Sequence, residues 1–459
     1  MSIRESLKIQ HSKWSIKNLF ISFSVFLSIT FYLSLYSEHK VFWIVVSIFE
    51  FMFLISKPKY LIISVVVFLT AFLVRYLTIQ HENNKYINGE YKVLKVTSSG
   101  FVISDQDNIF VHCHLKLFEG DVVHVSGNSE KIENYSSFDS VSYFKSFNVL
   151  NHIRLAKVAI ISHSKDIANI AKQFVQDSSG SYAKVSPLIL LGIRDENTDG
   201  VYQSAIQMNV VHLFVISGFH IVLIFSLFKK SLLKIKVQKD LAQWLSLVPI
   251  IFYIFLLNFQ TSATRAACLL LLSVINNTML KRKFKNVELL GFTMAIMFVW
   301  KPYSLFSLSF IFTFLSSYAI IILLQIKIKS EVLKIVFIAF GIYLINLPLT
   351  IMINGQFSLL GPIYSLVLTP IFSLMFVLTI IMFPMKDYLS YVDWAFLKMV
   401  EILSSINVII NAKAFNLEFI LALYISLFSI ATSCLIYNNW QNKKWTFKSI
   451  YNYLTNLSK

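Results

Sequence analysis

Long apolar runs dominate the chain, and they decide what it can fold into. Around twelve stretches of roughly 17 to 25 mostly apolar residues recur, the length that a helix needs to cross about 30 Å of hydrocarbon. Of the 459 residues, 56% are hydrophobic, so these runs are far more numerous than the core of a soluble protein of this size requires. The sequence therefore predicts a polytopic α-helical membrane protein with about 12 spans.

Basic residues lie mainly in alternate loops between the apolar runs. The long polar stretch, residues 80–200, holds 12 Lys and Arg against 14 Asp and Glu, so the net charge of +17 comes from the short loops and the chain ends. Membrane topology explains this excess more simply than nucleic-acid binding does. By the positive-inside rule the N-terminus is cytoplasmic, residues 80–200 lie outside, and an even number of spans returns the C-terminus to the cytoplasm.

The first apolar run resembles a signal peptide, because basic residues precede it. No small-residue cleavage site follows, and two more apolar runs come directly after it, so we interpret it as a retained first span. The first three spans are predicted at about 18–37, 40–56 and 60–79.

The outer stretch has a different pattern. From residue 88 short runs alternate apolar and polar residues between Gly, Asn and Asp turns, which predicts a small β-barrel or meander over about 88–155. Its segment LFEGDVVHVSGN has the turn, strand and glycine turn that are typical of OB-type barrels. From about residue 165 the pattern becomes helical and amphipathic.

The run HLFVISGFH, residues 212–220, keeps polar side chains inside an apolar segment, where an unpaired one costs free energy. On an unbroken helix its two histidines would be about 12 Å apart, too far to bind one metal ion unless the helix breaks at Ser217 and Gly218. Ser217 and His220 could form a hydrogen bond or an activated nucleophile, being three residues apart. Three interpretations stay open: mutual hydrogen bonding in a tight helix interface, a polar transport path shared with His212, and catalysis.

Two arginines near apolar segments are further candidates, since a permanent charge near hydrocarbon is kept mainly where it faces water, a partner or a bound anion. Arg265 is predicted one or two turns inside the outer end of a span, and Arg194 follows a short apolar helix. Either could contact phosphate. The alternatives are a local ion pair of Arg194 with Asp195 or Glu196, and an Arg265 side chain that reaches to the membrane interface.

The segment INGQFSLLGP, residues 353–362, indicates a second break in an apolar region. Broken backbone at membrane depth is tolerated only where protein buries it or water lines it, so Gln356 and Ser358 are candidates for lining a cavity. The HCH of residues 112–114 puts two histidines on one strand face, but no third ligand is evident, so we predict no metal site. Three widely separated cysteines predict no disulfide framework.

Five segments resemble the ComEC family of bacterial competence proteins, in the family's order and at about its spacing. One of the five, HLFVISGFHI, resembles the family signature HLLAISGLHV. In addition to these five, the outer segment FDSVSYFKSFNV resembles the end of the family's OB-like domain. The resemblance covers roughly residues 85–385. The other matching segments are LILLGIRDE, TSATRAACLLL, KPYSLFSLSFIFTFL and GQFSLLGPIYSLVLTP.

The resemblance implies a multi-pass channel in the cytoplasmic membrane that imports single-stranded DNA in natural transformation, and not an enzyme. A polyanion needs a hydrated, polar-lined path across hydrocarbon. The residues expected to line or shape that path are Arg194, His212, Ser217, Gly218, His220, Arg265, Gln356 and Ser358. In the OB-like domain Phe101, Phe110 and Phe118 are candidates for stacking on bases, although the domain's net charge argues against strong DNA binding.

The same resemblance sets the expected domains and partners. We expect three N-terminal transmembrane helices (1–80), an extracellular OB-like β domain (81–165), a competence-type channel domain (166–385), and C-terminal transmembrane helices with a basic cytoplasmic tail (386–459). An external DNA receptor and a cytoplasmic ATP-driven motor are implied, because the sequence has no GxxxxGK[ST] loop. Membrane lipids are further partners, self-association into a homo-oligomer stays open, and no cofactor is expected.

The sequence departs from the family in two respects. It holds no HxHxDH motif of the metallo-β-lactamase-like domain that members often carry, so we expect no DNA cleavage by that route. Cys113 stands alone in the OB-like domain, where the family often has a cysteine pair. Two other functions stay open: an intramembrane hydrolase or transferase that uses Ser217 with His220, and a small-solute transporter that uses the broken helix near residue 355.

Overall fold

The computed structural model describes most of the chain as helices and one curled sheet. The described residues are 20–36, 40–54, 58–78, 85–97, 99–113, 115, 117–133, 140–176, 180–324, 328–382 and 385–412. The helices, in chain order, are α1 (Phe20–Tyr36), α2 (Lys40–Leu54), α3 (Pro58–Leu77), α4 (Ser140–Lys145), α5 (Ile167–Gln176), α6 (Gly180–Leu191), α7 (Glu196–Gln207), α8 (Val211–Phe214), α9 (Gly218–Lys234), α10 (Lys239–Leu245), α11 (Val248–Leu256), α12 (Thr261–Thr278), α13 (Asn286–Trp300), α14 (Leu308–Leu323), α15 (Glu331–Asn354), α16 (Gly361–Ile381) and α17 (Lys386–Ser405).

Four helices in the described residues are long and apolar enough to cross a membrane, judged by length and composition. They are α3, a continuous helix Lys239–Leu256 that joins α10 and α11, α15 and α16. Shorter apolar helices occupy Ser24–Leu35, Asn286–Trp300 and Ser309–Ile321. The fold is therefore compatible with a helical membrane protein, while the number of about 12 spans stays a prediction. The spans expected after residue 412 lie outside the described residues.

The first three helices form a bundle with α13 and α14. Their bounds agree with the predicted spans to within two residues at each end. The Ser28 hydroxyl donates to the Ser24 carbonyl of its own helix at 2.9 Å, and the Tyr318 hydroxyl of α14 donates to Ser22 Oγ at 2.7 Å. Gly291 of α13 lies against α1, where an added Cβ would come within 3.0 Å of Ser22 Oγ. Small and hydroxyl residues thus let these helices approach closely.

The β region is one curled seven-stranded sheet, in the order β5-β6-β3-β2-β1-β4-β7. Strand β1 pairs through its first half with β4 and through its second half with β2, and the register shifts between Val93 and Lys95. Such a bulge bends the strand and lets one sheet curl around a core. The strands are β1 (Tyr86–Thr97), β2 (Gly100–Ser104), β3 (Asn108–His112), β4 (Val122–Asn128), β5 (Glu130–Lys131), β6 (Asn151–Ile153) and β7 (Lys157–Ser162).

Both faces of β2 and β3 are covered, which corrects two of the three stacking candidates. Phe101 packs inside the curl with Ile103 and Val111, and Phe110 packs on the other face against α4 at Phe144. Their side chains are 1% and 0% exposed, so neither ring can stack on a base while the domain is folded. Only Phe118, which is half-buried, presents any ring surface.

Two histidines of this domain, His112 and His152, form a chain of hydrogen bonds with Arg154. His112 Nε2 and His152 Nδ1 are 3.3 Å apart, and Arg154 Nε donates to His152 Nε2 at 3.2 Å. Burial, with the nearby His112 and Arg154, lowers the pKa of His152 to about 4, so its ring is uncharged near neutral pH. His114, the other histidine of the HCH segment, lies outside the described residues.

Polar contacts at Asn148 and at Glu119 attach the β domain to the helices. After α4 the chain turns at Asn148, which has a left-handed backbone (φ 59°). The Asn148 side chain accepts from Arg75 Nη1 at 2.5 Å and donates to the Thr78 carbonyl at 2.8 Å, both at the end of α3. On the other side Glu119 accepts from Asn258, beyond α11, and lies 3.5 Å from Lys172 Nζ of α5. Polar contacts therefore hold the sheet over the helix ends.

Candidate functional site

The HLFVISGFH segment is a break between two helices. Helix α8 ends at Phe214, Val215 and Ser217 have extended backbones, and α9 begins at Gly218. Ser217 caps α9: its hydroxyl accepts from Phe219 N at 3.3 Å, and its N–H donates to His220 Nδ1 at 3.1 Å. This reciprocal capping satisfies polar groups at the start of a helix, and it needs a serine followed three residues later by an acceptor.

The neighbouring helix α12 packs against the break. The Ser262 hydroxyl donates to the Ile216 carbonyl at 2.6 Å. A Cβ on Gly218 would meet the Ala266 methyl at 3.4 Å, which is ordinary van der Waals contact. A larger side chain at Gly218 would push α9 and α12 apart, so the glycine sets the distance between them.

His220 does not face an open path in this conformation, and its place on a transport path stays a prediction. Its side chain is 0% exposed and packs edge to face with Phe372 and Phe376 of α16, at ring-centroid distances of 5.5 and 4.7 Å. Nε2 is buried and has no hydrogen-bond partner in the described part of the chain. In this conformation His220 therefore caps α9 and packs in the core, where α9 meets α16.

Arg265 is buried one turn after Ser262, and no carboxylate of the described residues forms an ion pair with it. Its side chain is 3% exposed, so it does not reach to the membrane interface. Nη1 donates to the Ser309 carbonyl of α14 at 3.0 Å, the guanidinium carbon lies 5.3 Å from the Phe314 ring centroid, and Nε has no partner in the described residues. An unpaired buried guanidinium is costly and is suited to bind an anion.

Arg194 and His212 each have a local partner, which is Asp199 for Arg194 and the Asn209 backbone for His212. Arg194 Nη2 lies 3.1 Å from Asp199 Oδ1, and its guanidinium stacks over Tyr202 at 4.2 Å. The local ion pair is thus made with Asp199, one turn into α7, because Asp195 instead caps that helix by accepting from Thr198 N at 3.1 Å. His212 presents its side chain on the short helix α8.

The second break, around residue 355, is closed by a small sheet. Gly355 ends α15 with a left-handed backbone (φ 64°), and β8 (Gln356–Ser358) pairs antiparallel with β9 (Ile409–Asn411). Ser358 is 0% exposed and donates to Asn407 Oδ1 at 2.6 Å, so it does not face an open path in this conformation. Gln356 is half-buried.

Three residues that the sequence did not single out join this break to the turn between α7 and α8. Asn407 Nδ2 donates to the Gln207 carbonyl at 2.9 Å, and Asn209 Nδ2 donates to the Tyr343 hydroxyl at 3.3 Å. Tyr343 in turn donates to the Ser358 carbonyl. Asn209 could have been noticed, because asparagine tolerates the left-handed backbone (φ 58°) that it adopts after α7.

Together these residues form a polar site between apolar helices. It contains two helix breaks, one buried cation without a carboxylate, and a hydrogen-bond network between helix ends. In the described ranges no group of three or more His, Cys, Asp and Glu is placed to hold a metal ion. The arrangement can bind an anionic group at Arg265. The assignment of Arg194, His212, Ser217, Gly218, His220, Arg265, Gln356 and Ser358 to a transport path stays a prediction.

The comparison with protein families gives one match. The family model described as "Competence protein" matches residues 189–439, which include both helix breaks and Arg265. The matched range extends beyond the described residues.

Three curated proteins are similar to parts of the chain. The "Uncharacterized protein MG316 homolog" of Mycoplasma pneumoniae is 28% identical over 215 residues, 47% of this chain and 55% of that protein. The "Uncharacterized protein MG316" of Mycoplasma genitalium is 25% identical over 268 residues, 56% of this chain and 69% of that protein. The "ComE operon protein 3" of Bacillus subtilis is 21% identical over 220 residues, 47% of this chain and 28% of that protein.

The chain thus spans about half the length of the first of these relatives and less of the third. No solved structure matches the chain.

Proposed function

Because the chain belongs to the Competence protein family, we propose that it is a multi-pass channel of the cytoplasmic membrane that imports single-stranded DNA. Of the three similar proteins, the one from Bacillus subtilis is described as a ComE operon protein. The family supports a role in competence and DNA uptake, and the channel, its substrate and its location are our proposal. About 12 spans with both termini in the cytoplasm would place the β domain outside.

The observation that carries the proposal is the buried Arg265 beside a helix break. A phosphate cannot enter hydrocarbon without a partner, since even one charge costs several kcal/mol there. Arg265 offers one unpaired cation next to backbone that is already interrupted at residues 215–217. A single cation suits passage better than a strongly basic groove does, because the strand must leave as readily as it binds.

In the described conformation the proposed path is packed shut. His220 and Ser358 are fully buried, so a strand can pass only after α9 and α16 move apart. We propose that the external receptor delivers the strand to the β domain and that a cytoplasmic ATP-driven motor pulls it. The capping bonds of Ser217 and His220 are local to α9 and can persist when that helix moves.

The test is DNA uptake by intact cells. Cells that carry the protein, and cells in which it is deleted, are given labelled linear DNA, and the label that becomes protected from external nuclease inside the cell is measured. We expect the deletion to abolish protected label and plasmid-borne protein to restore it. Unchanged protected label in a deleted strain that is otherwise competent would contradict the proposal.

One observation favours a second function, a hydrolase or transferase. Ser217 Oγ lies 3.3 Å from His220 Nδ1, within reach of a nucleophile and its base. The same Nδ1 already accepts from the Ser217 N–H, however, and no described group orients Nε2. A nucleophile of this kind needs an oriented base with a free lone pair. The contacts therefore support capping.

Replacing Ser217 separates these two functions. Ser217→Ala removes the cap and should lower the free energy of unfolding by about 1 kcal/mol, whereas Ser217→Asn restores a capping oxygen. We expect DNA uptake to be reduced in the alanine variant and close to wild type in the asparagine variant, at matched membrane abundance. Melting temperatures in detergent provide the stability readout. A nucleophilic serine would show equal loss of activity in both variants.

A further inference from the structure

We infer that Lys95 and Lys301 bind phosphate groups of the DNA strand where the β domain meets the ends of the helices. This inference rests on the proposed channel function and places the first protein contact of the strand outside the packed site. Phe101 and Phe110 are buried and cannot contact the strand. We therefore place the contact at two lysines, at the junction between the β domain and the helices.

Lys95 lies on the second half of β1, just after the bulge. Its ammonium group is 3.7 Å from the centroid of the Phe147 ring. Phe147 precedes Asn148, the residue that Arg75 holds at the end of α3. The Lys95 side chain therefore reaches the turn by which the β domain is fastened to the helices.

Lys301 approaches the same turn from the helices. It lies between the end of α13 and a short 3₁₀ helix, Pro302–Phe306, and its ammonium group is 4.5 Å from the Trp300 ring centroid. The 3₁₀ helix packs against α4, which leads into Phe147, and against α3. The charge of Lys301 is close enough to oppose the charge of Lys95.

Neither lysine has a carboxylate within ion-pair distance among the residues that the structure describes. Glu119 attracts Lys95, but it is already engaged by Lys172 and Asn258. Two like charges that are held together without a counter-charge repel each other, and a bound anion relieves that repulsion. Each ammonium group rests on an aromatic ring, which holds it in place and leaves its N–H groups available.

The position of the pair favours a DNA strand as the anion. Single-stranded nucleic acid is bound by cations along its backbone together with aromatic rings, and both are present here. From Lys301 the chain runs through the 3₁₀ helix to Ser309, whose carbonyl accepts from Arg265. Lys301 is thus connected along the chain to the residue that Arg265 contacts.

The protonation of Lys95 gives the site a pH dependence. Burial is the main cause that lowers the pKa of Lys95, to about 8. The charge of Glu119 raises this pKa and the charge of Lys301 lowers it, each by less than burial does. The lysine is mostly charged at pH 7 and mostly neutral at pH 9. DNA affinity should therefore fall as the pH rises through about 8, and this fall should shrink when Lys95 is replaced by methionine.

The experiment measures binding of a fluorescent thymidine oligonucleotide to the full chain in phosphatidylcholine nanodiscs, over a range of salt concentrations. The variants are Lys95→Met, Lys301→Met and the double variant, which keep the side-chain length but lose the charge. Lys92→Met, at an exposed lysine on the same strand, is the matched control. Lys95→Arg and Lys301→Arg test whether charge alone restores binding.

We expect each methionine to weaken binding about fivefold at 0.1 M salt and to reduce the slope of log affinity against log salt by about 0.7, the value for one phosphate contact on a single strand. The double variant should reduce this slope by about 1.4. The arginine variants should reduce it only slightly, and Lys92→Met should leave it unchanged. A purely structural role for the lysines would change the melting temperature and leave the salt slope as in wild type.

The inference is overturned if the double variant binds with the wild-type slope while deletion of the protein still abolishes uptake. In that case the channel function stands without this site. If instead the wild-type protein fails to bind DNA and its deletion leaves uptake unchanged, the function and the site fall together. A second set of nanodiscs contains phosphatidylglycerol. If the substitutions reduce only the stabilisation of the protein by this anionic lipid and leave the DNA salt slope as in wild type, the lysines bind lipid headgroups and the inference is also overturned.

Discussion

Replacing Arg265 with methionine should reduce DNA uptake by about tenfold or more and leave the protein at least as stable as the wild type. A charge-assisted hydrogen bond to a passing phosphate is worth roughly 1.5 to 3 kcal/mol, and about 1.4 kcal/mol corresponds to a factor of ten. Stability should not fall, because methionine fills a similar volume and removes a buried charge that has no carboxylate partner. Ser309, whose carbonyl loses its donor, is exposed and can be hydrated.

The measurement pairs nuclease-protected uptake with the melting temperature of the purified protein. Arg282→Met makes the same substitution at an exposed arginine and should change neither quantity. Arg265→Lys keeps the charge and should retain part of the uptake. Parallel loss of stability and uptake in the methionine variant would show that Arg265 holds α12 to α14 and does not meet the strand.

Gly100→Ala is expected to unfold the β domain while the helices remain folded. Gly100 opens β2 with φ 156°, and a Cβ there would lie 2.1 Å from the Val111 carbonyl oxygen of the paired strand. That atom belongs to the backbone ladder between β2 and β3 and cannot move aside without breaking it. We expect a cost of about 3 kcal/mol or more, since overpacking and backbone strain each cost roughly 1 to 3 kcal/mol.

Hydrogen exchange in the intact protein would check this result, with faster exchange confined to residues 85–162. Gly200→Ala is the matched control, because Gly200 lies inside α7 and has open space around it. Alanine there should stabilise the helix by about 0.5 to 1 kcal/mol. Wild-type exchange across β2 and β3 in Gly100→Ala would mean that the two strands pair differently.

The sequence predicted the features that depend on local pattern. The three N-terminal helices follow from apolar length alone, and they end within two residues of the expected positions. The contact between Ser217 and His220 follows from a spacing of three residues, whichever role it serves. The alternation of apolar and polar residues also located the β region, but it did not show which faces of the sheet are covered. It did not show that Phe101 lies inside the curl of the sheet, nor that α4 covers Phe110 on the other face.

The site depends on contacts between distant residues, which a single sequence does not reveal. Arg265 meets a carbonyl 44 residues away, and Asn407 bonds to Gln207 across 200 residues. Lys95 and Lys301 approach each other only because the Phe147 turn brings the sheet to the 3₁₀ helix. Residue type suggested Arg265, whereas nothing local distinguishes Lys95 from Lys92, the other lysine of β1.

The bond between Tyr318 and Ser22 has a consequence for biosynthesis. The two residues are separated by 296 positions, so a ribosome that adds about 5 to 20 residues per second completes the tyrosine roughly 15 to 60 seconds after the serine. During that delay α1 has α2 and α3 beside it but lacks α13 and α14. Serines that bond to their own helix, as Ser28 does to Ser24, keep hydroxyl groups satisfied in the meantime. The N-terminal bundle is therefore completed late in translation, although its first helix is the first to be made.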